Sequence, residues 1–374
     1  MNRVVIVGGG IAGVSTAAAL RAGGYEGALT LVDAGEFPYD RPPLSKEYLA
    51  GKADLRQIAL QPPEWYSAQA VELLPRTWVT ALRPERVELR QGPALAADRV
   101  VLATGGLAVR PPIPGIDDLR IHTLRTADDA DRLREVLAGE VRLLVVGGGL
   151  IGAEVASTAA GMGCEVVLAD PVAAPLADAV GPETAAWLHA QHETWGIRTV
   201  TTGVVAFRAT AGGVQATLAG EDRPRTFDAV LIGVGMTPDA RLMPSPAVLT
   251  VGDAAGAGHW EAAQRDGQRA AATLLGHPAA EPSAPWFWSD RHGRHVEVVG
   301  RMADADRTVI RGSHGDAPFA VFGLRGRYVV GAVAVDDSTA VRTARRLIDR
   351  DVAVDAECLA DPSTNLRGLL KGPK

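Results

Sequence analysis

The sequence predicts an α/β protein made of two parallel-sheet units of the same design, followed by a smaller α+β domain. Three observations carry this reading. Two glycine-rich turns each follow an apolar strand and open a helix, strands alternate with helical patterns along most of the chain, and proline-rich stretches separate the pieces.

Val4-Val5-Ile6-Val7 is a short, β-branched apolar run and reads as a buried strand. After a glycine turn, an Ala-rich pattern predicts a helix over 11–22, and a second strand ends in Leu31-Val32-Asp33. The second unit repeats the first: Leu143-Leu144-Val145-Val146, a glycine turn, a helix over 150–161 and a strand ending in Val167-Leu168-Ala169-Asp170. A repeat at this long spacing marks a duplicated nucleotide fold, not a solenoid. Pro111, Pro112 and Pro114 with Gly115 bar helix and central strand alike, which puts a crossover near residue 110. The stretch from His277 to Pro285 separates a helix from short β-like segments such as Val329 to Val333, leaving a C-terminal domain of about 90 residues. The expected domains are 1–110 with 239–278, then 111–238, then 279–374.

Each glycine turn fits GxGxxG. In the first, Gly8 makes the tight turn, Gly10 lets the backbone approach a pyrophosphate, and Gly13 lets helix and strand pack closely. The helix start then offers free N–H groups to phosphates, and Asp33 supplies the acid expected about twenty positions on to receive ribose hydroxyls. Gly147, Gly149 and Gly152 repeat the pattern with Asp170 as the acid. These are two Rossmann-like dinucleotide sites. One redox reaction needs a donor and an acceptor, so one flavin and one nicotinamide is the economical assignment. Pro171-Val172-Ala173-Ala174 follow Asp170 and the next cation is Arg198; a 2′-phosphate would meet a carboxylate without a local cation, so NADH is preferred over NADPH.

Composition bounds the rest. Of 374 residues, 47% are hydrophobic and 22% charged, with no run of 18 apolar residues, so a soluble enzyme with no membrane span is expected. A net charge of −6 without a Lys/Arg stripe argues against nucleic acid as a partner. Cys164 and Cys358 are the only cysteines, which excludes a CxxC dithiol and a cysteine-ligated cluster; no metal site is expected. The N-terminus runs straight into the first strand, making the cytoplasm the expected location.

With these features in place, the chain resembles the FAD-dependent ferredoxin reductase family, the branch holding putidaredoxin, rubredoxin and biphenyl-dioxygenase ferredoxin reductases. The matching strings are Tyr39-Asp40-Arg41-Pro42-Pro43-Leu44-Ser45-Lys46, Ala103-Thr104-Gly105, Gly149-Leu150-Ile151-Gly152-Ala153-Glu154, Gly252-Asp253, His259-Trp260-Glu261-Ala262-Ala263 and Phe287-Trp288-Ser289-Asp290. The resemblance spans nearly the whole chain and implies a glutathione-reductase-like fold. It implies that Arg41, Lys46, Thr104 and Gly105 line the FAD site, that Asp253 takes a ribityl hydroxyl, that Lys46 and Glu154 pair beside the reactive flavin edge as the catalytic groups, and that Trp260 and Trp288 wall the ring. Gly235, in the segment Gly233 to Asp239, belongs to the stretch leading away from the NAD domain. The implied activity takes hydride from NADH onto FAD and passes single electrons to a ferredoxin-type iron–sulfur protein or rubredoxin serving an oxygenase such as a cytochrome P-450. Without a CxxC the electrons leave the flavin directly. Arg291, Arg294, Arg301, Arg307, Arg311, Arg325 and Arg327 are expected to steer an acidic carrier.

One departure stands out. About a dozen residues separate Pro238 from Gly252, roughly twenty fewer than the family pattern implies, though Val248 to Val251 can still supply the strand that delivers Asp253. The shortening keeps a second class open, a flavin-binding or NADH-sensing protein with weak turnover. An NADH oxidase-like enzyme is a third reading, but no cysteine lies where such relatives carry their redox-active one.

Overall fold

The two apolar runs that precede the glycine turns each become the middle strand of a five-stranded parallel sheet. The computed structural model describes residues 1–242 and 248–371. These form two units: residues 1–108, 125–127, 236–242 and 248–281, and residues 109–124, 128–235 and 282–371.

In the first unit the strand order is Val248–Thr250, Arg99–Leu102, Arg3–Val7, Ala28–Val32 and Val71–Leu74. Period-two alternation divides the central strand between two cores. Val4 and Ile6 pack with Leu29, Leu31 and Val101 against helices Ile11–Ala22 and Trp260–Leu275. Val5 and Val7 face the opposite way, under the antiparallel strands Val79–Arg83, Arg86–Leu89 and Leu95–Ala96, where Val87 and Ala97 are buried. Each fully buried Leu or Ile is worth about 1.5–3 kcal/mol relative to exposure, so both faces contribute to holding the central strand. The expected strand before Asp253 is present: Val248–Thr250 runs parallel to Val100–Leu102 at the sheet edge. Residues 243–247, inside the shortened stretch, lie outside the described residues.

In the second unit the parallel order is Arg198–Thr201, Glu165–Asp170, Arg142–Val146, Ala229–Ile232 and Ile121–His122. Leu144, Val146, Val167, Val230 and Ile232 pack against the antiparallel strands Val204–Thr210, Gly213–Leu218 and Arg225–Phe227. Cys164 ends the turn before Glu165–Asp170, its N–H bonded to the Ala159 carbonyl.

The C-terminal part of this unit is the expected α+β domain. Its antiparallel sheet runs Trp286–Arg291, Arg294–Gly300, Tyr328–Val335, Asp316–Arg325 and Arg307–Ser313. Helix Ser338–Asp349 covers one face through Ala340, Val341, Ala344 and Leu347, an i, i+1, i+4, i+7 stripe, and is capped by Asp337 accepting the Ala340 N–H at 3.0 Å. The other face, with Val298, Phe319, Val321 and Val333, packs on Ala185 and Leu188 of helix Pro182–Thr194. No helix among the described residues is long and apolar enough to cross a membrane.

Candidate dinucleotide sites

Both glycine turns are built by the same two steric constraints. A Cβ on Gly13 would lie 2.0 Å from the Gly8 carbonyl oxygen, and one on Gly152 would lie 1.8 Å from that of Gly147. No real side chain survives such contacts, so the helix lies tight on its turn only because these positions are glycine. Gly8 and Gly147 hold φ of +111° and +102°, the left-handed region that glycine enters without strain. The middle glycine is different. Among the described residues, a Cβ at Gly149 would meet no atom within 4 Å, and the nearest atoms to one at Gly10 would be those of the Arg41 guanidinium at 3.9 Å. Space is left there for a ligand, directly over the N-termini of helices Leu150–Gly161 and Ile11–Ala22.

The two acids end their strands in matching positions. Asp170 Oδ2 accepts the Gly148 N–H at 2.7 Å and its Oδ1 accepts the Val172 N–H at 2.7 Å. Asp33 Oδ1 accepts the Gly35 N–H at 3.1 Å. Burial pushes the Asp33 carboxyl up, while the Gly35, Gly9 and Ala34 N–H groups and the Arg41 guanidinium pull it down. A carboxylate has about four lone-pair directions, so each acid keeps capacity for ribose hydroxyls after these backbone bonds.

The first unit gathers further groups around Gly105. A Cβ on Gly105 would lie 2.9 Å from Arg41 Nη1 and 3.4 Å from Arg125 Nη2. Burial lowers the Arg41 pKa and the neighbouring Arg125 cation lowers it again, with Asp253 and Asp33 acting the other way. Arg125 Nη2 bonds Asp253 Oδ2 at 2.5 Å, and its Nε bonds the Gly106 carbonyl at 3.0 Å. Two converging guanidiniums favour an anion with two charges, such as a pyrophosphate. Thr104 Oγ1 is buried with no hydrogen-bond partner among the described residues, so this lining has a polar valence to give a ligand. Trp260 Nε1 donates to Asp40 Oδ1 at 2.6 Å, and Asp40 feels the Lys46 cation, so Asp40 ties Trp260 and Lys46 to the same corner. The donor set and the open glycines therefore fit FAD.

Sequence reading had not singled out Arg125 or Asp40. Arg125 carries no motif; it belongs to a three-residue return of the chain into the first unit. Asp40 stood inside a matched string without a role.

In the second unit, Gly147, Gly149, Gly152 and Asp170 come together, and a Cβ on Gly147 would lie 2.6 Å from the Gly233 carbonyl. Gly235 is exposed, and its carbonyl accepts the Val109 N–H at 3.0 Å. These groups fit a pyridine nucleotide. Glu154, one turn along the fingerprint helix, is 4% exposed and accepts the Ser289 hydroxyl at 2.8 Å. Trp288 stacks on Trp286 with ring centroids 5.0 Å apart.

The steering role read for the arginines needs correction. Arg291 is 6% exposed and cannot meet a carrier. Arg311 is spent on the carbonyls of Leu359, Asp361, Pro362 and Thr364, and Arg294 pairs with Asp336 at 3.0 Å. Arg294, Arg301, Arg307, Arg325 and Arg327 are exposed.

Residues 2–265 match the family model for pyridine nucleotide-disulphide oxidoreductases, and residues 286–370 match that of a reductase C-terminal domain. The chain belongs to the pyridine nucleotide-disulphide oxidoreductase family. Among curated members it is 34% identical to putidaredoxin reductase of Pseudomonas putida, covering 100% of this chain and 98% of that protein. It is 32% identical to the biphenyl dioxygenase system ferredoxin–NAD(+) reductase component of Paraburkholderia xenovorans, over 99% of each. Among solved structures, the covalent putidaredoxin reductase–putidaredoxin complex superposes with a TM-score of 0.90 at 32% identity, covering 99% of this chain and 98% of that one. Within the pyridine nucleotide-disulphide oxidoreductase family this chain lacks the disulphide pair: its two cysteines, Cys164 and Cys358, are both free.

Proposed function

We propose that this oxidoreductase is an NADH-dependent flavoprotein that reduces a ferredoxin-type iron–sulfur carrier of an oxygenase system. The observation that carries the reading is the pair of matched glycine cradles, one facing two converging arginines and the other ending in Asp170 with no cation beside it in sequence. Bound in the two cradles, a nicotinamide would supply hydride chemistry and FAD would supply the exchange of a two-electron input for single-electron output. The protein's own work is binding, orientation and exclusion of water. The N–H groups at the two helix starts and the Arg41 and Arg125 guanidiniums hold phosphates; Asp33 and Asp170 receive ribose hydroxyls; Asp253 receives a ribityl hydroxyl. Trp260 and Trp288 are assigned to shielding the flavin ring, and Lys46 and Glu154 are assigned as the charged groups of hydride transfer. The names of the relatives, ferredoxin–NAD(+) reductases and putidaredoxin reductase, support the carrier class. The test is steady-state reduction of a panel of [2Fe–2S] carriers and rubredoxins with NADH or NADPH. NADH is expected to give the higher kcat/KM by roughly tenfold or more, the worth of one charge conflict at a 2′-phosphate; equal use of both nucleotides contradicts the assignment of Asp170.

A further inference from the structure

Glu154 and Arg291 are both buried charges outside the glycine cradles. Glu154 lies on helix Leu150–Gly161, and Arg291 ends strand Trp286–Arg291. Alternation puts Phe287, Ser289 and Arg291 on one face of that strand. Ser289 Oγ donates to Glu154 Oε1 at 2.8 Å, and the Asp290 N–H reaches the same oxygen at 3.3 Å. Three residues along the helix, Ser157 Oγ accepts the His292 N–H at 2.8 Å. The strand is therefore registered on the fingerprint helix by contacts at i and i+3, with the carboxylate at one of them.

Arg291 Nε is buried with no hydrogen-bond partner among the described residues. Burial pushes its guanidinium down to about 10, and the Glu154 carboxylate is the charge that acts against this. The other titratable groups near Arg291 are His189 and His192 of helix Pro182–Thr194 and His292 of the turn. Burial holds all three below the ordinary histidine range, His192 to about 2 and His292 to about 4; Asp170 and Glu193 act on His189 in the opposite direction. The histidines lie below the ordinary range, and Glu154 is the carboxylate that acts on Arg291.

We propose that Ser289 and Arg291 are positioning residues for Glu154: the hydroxyl fixes the orientation of its carboxylate and the guanidinium keeps it ionised. This rests on the reading of Glu154 as the carboxylate that acts beside the flavin. A hydrogen bond to the charged form and a nearby opposite charge both favour ionisation, so loss of either favours the protonated acid.

The experiment follows the carboxyl carbon of Glu154 by NMR in the holoprotein labelled with ¹³C-glutamate, the resonance being assigned by its loss in Glu154→Gln. In Ser289→Ala and in Arg291→Gln the titration midpoint is expected to rise by about one pH unit or more. The acid limb of the pH profile for flavin reduction by NADH should move with it. Ser289→Thr and Arg291→Lys should restore both. A midpoint unchanged in both variants overturns the proposal. If Arg291→Gln loses its flavin, Ser289→Ala, which removes a single oxygen atom, decides by the same midpoint. If the midpoints move while Glu154→Gln reduces its flavin at the wild-type rate, the link stands and the reading of Glu154 beside the flavin is what fails.

Discussion

At the scale of single residues, the first cradle depends on Arg125, which meets Asp253 across 128 positions of sequence. Such a pairing leaves no local trace: neither spacing nor periodicity marks an arginine that the chain brings back after leaving the domain. Asp33 and Asp170 were legible for the opposite reason, because each sits at a fixed offset from its own glycine turn. Arg291 was misread because charge suggests surface; the alternation that puts it on the same face as Ser289 was available in the sequence, but what that face packs against was not. Removing the guanidinium in Arg125→Ala takes away a charge-assisted contact worth about 1.5–3 kcal/mol, so FAD should bind roughly ten- to a hundredfold more weakly. Reconstitution of the deflavinated variant, followed by flavin fluorescence, measures this. The buried histidines make a second prediction. His292 is held at about 4 and His192 at about 2, below the ordinary value of 6.5. Between these values the unfolded chain takes up protons that the native chain refuses, so their contribution to stability is full above about pH 6.5 and is lost as pH falls toward 4 and below. The melting temperature should decline across that window, and His292→Gln should flatten the decline; an identical slope in the variant would show that other groups set it.

At the scale of elements, the strands and helices around the fingerprints follow the expected pattern because each signal there is local. Val4 and Ile6 face one core and Val5 and Val7 the other, and both faces are apolar, as a strand buried in a parallel sheet requires. The strand Val248–Thr250 was also legible, from its apolar residues just ahead of Gly252-Asp253. The start of the strand Glu165–Asp170 was not, since boundaries depend on where the preceding turn closes. The two glycines of the second turn make a sharp prediction by contrast. Gly152→Val places a side chain where a Cβ alone would be 1.8 Å from a carbonyl oxygen, so the helix must shift and the variant should lose stability and nucleotide binding together. Among the described residues, the Cβ of Gly149→Ala meets no atom within 4 Å. It should keep the wild-type melting temperature within about 1 °C, the backbone cost of one such change being small, yet raise the KM for NADH. A Gly149→Ala protein with unchanged KM would mean that the open space is not where the nucleotide sits.

At the scale of the whole molecule, the chain carries both halves of an electron-transfer unit and neither of the cysteines that the family's disulphide members use. The duplicated architecture was legible from two motifs 139 positions apart, Gly8 and Gly147. The return of residues 125–127 into the first unit was not, because a three-residue crossing has no compositional signature. The central claim is that one cradle holds a flavin, that the other presents the nucleotide that reduces it, and that electrons then leave one at a time. Anaerobic titration of the purified holoprotein with NADH, followed by back-titration with a one-electron iron–sulfur carrier, tests all three parts in one cuvette. The account predicts a yellow protein whose flavin band is bleached by one equivalent of NADH and restored by two equivalents of carrier. A colourless protein that takes up no FAD, or a bound flavin that NADH leaves oxidised, would contradict it.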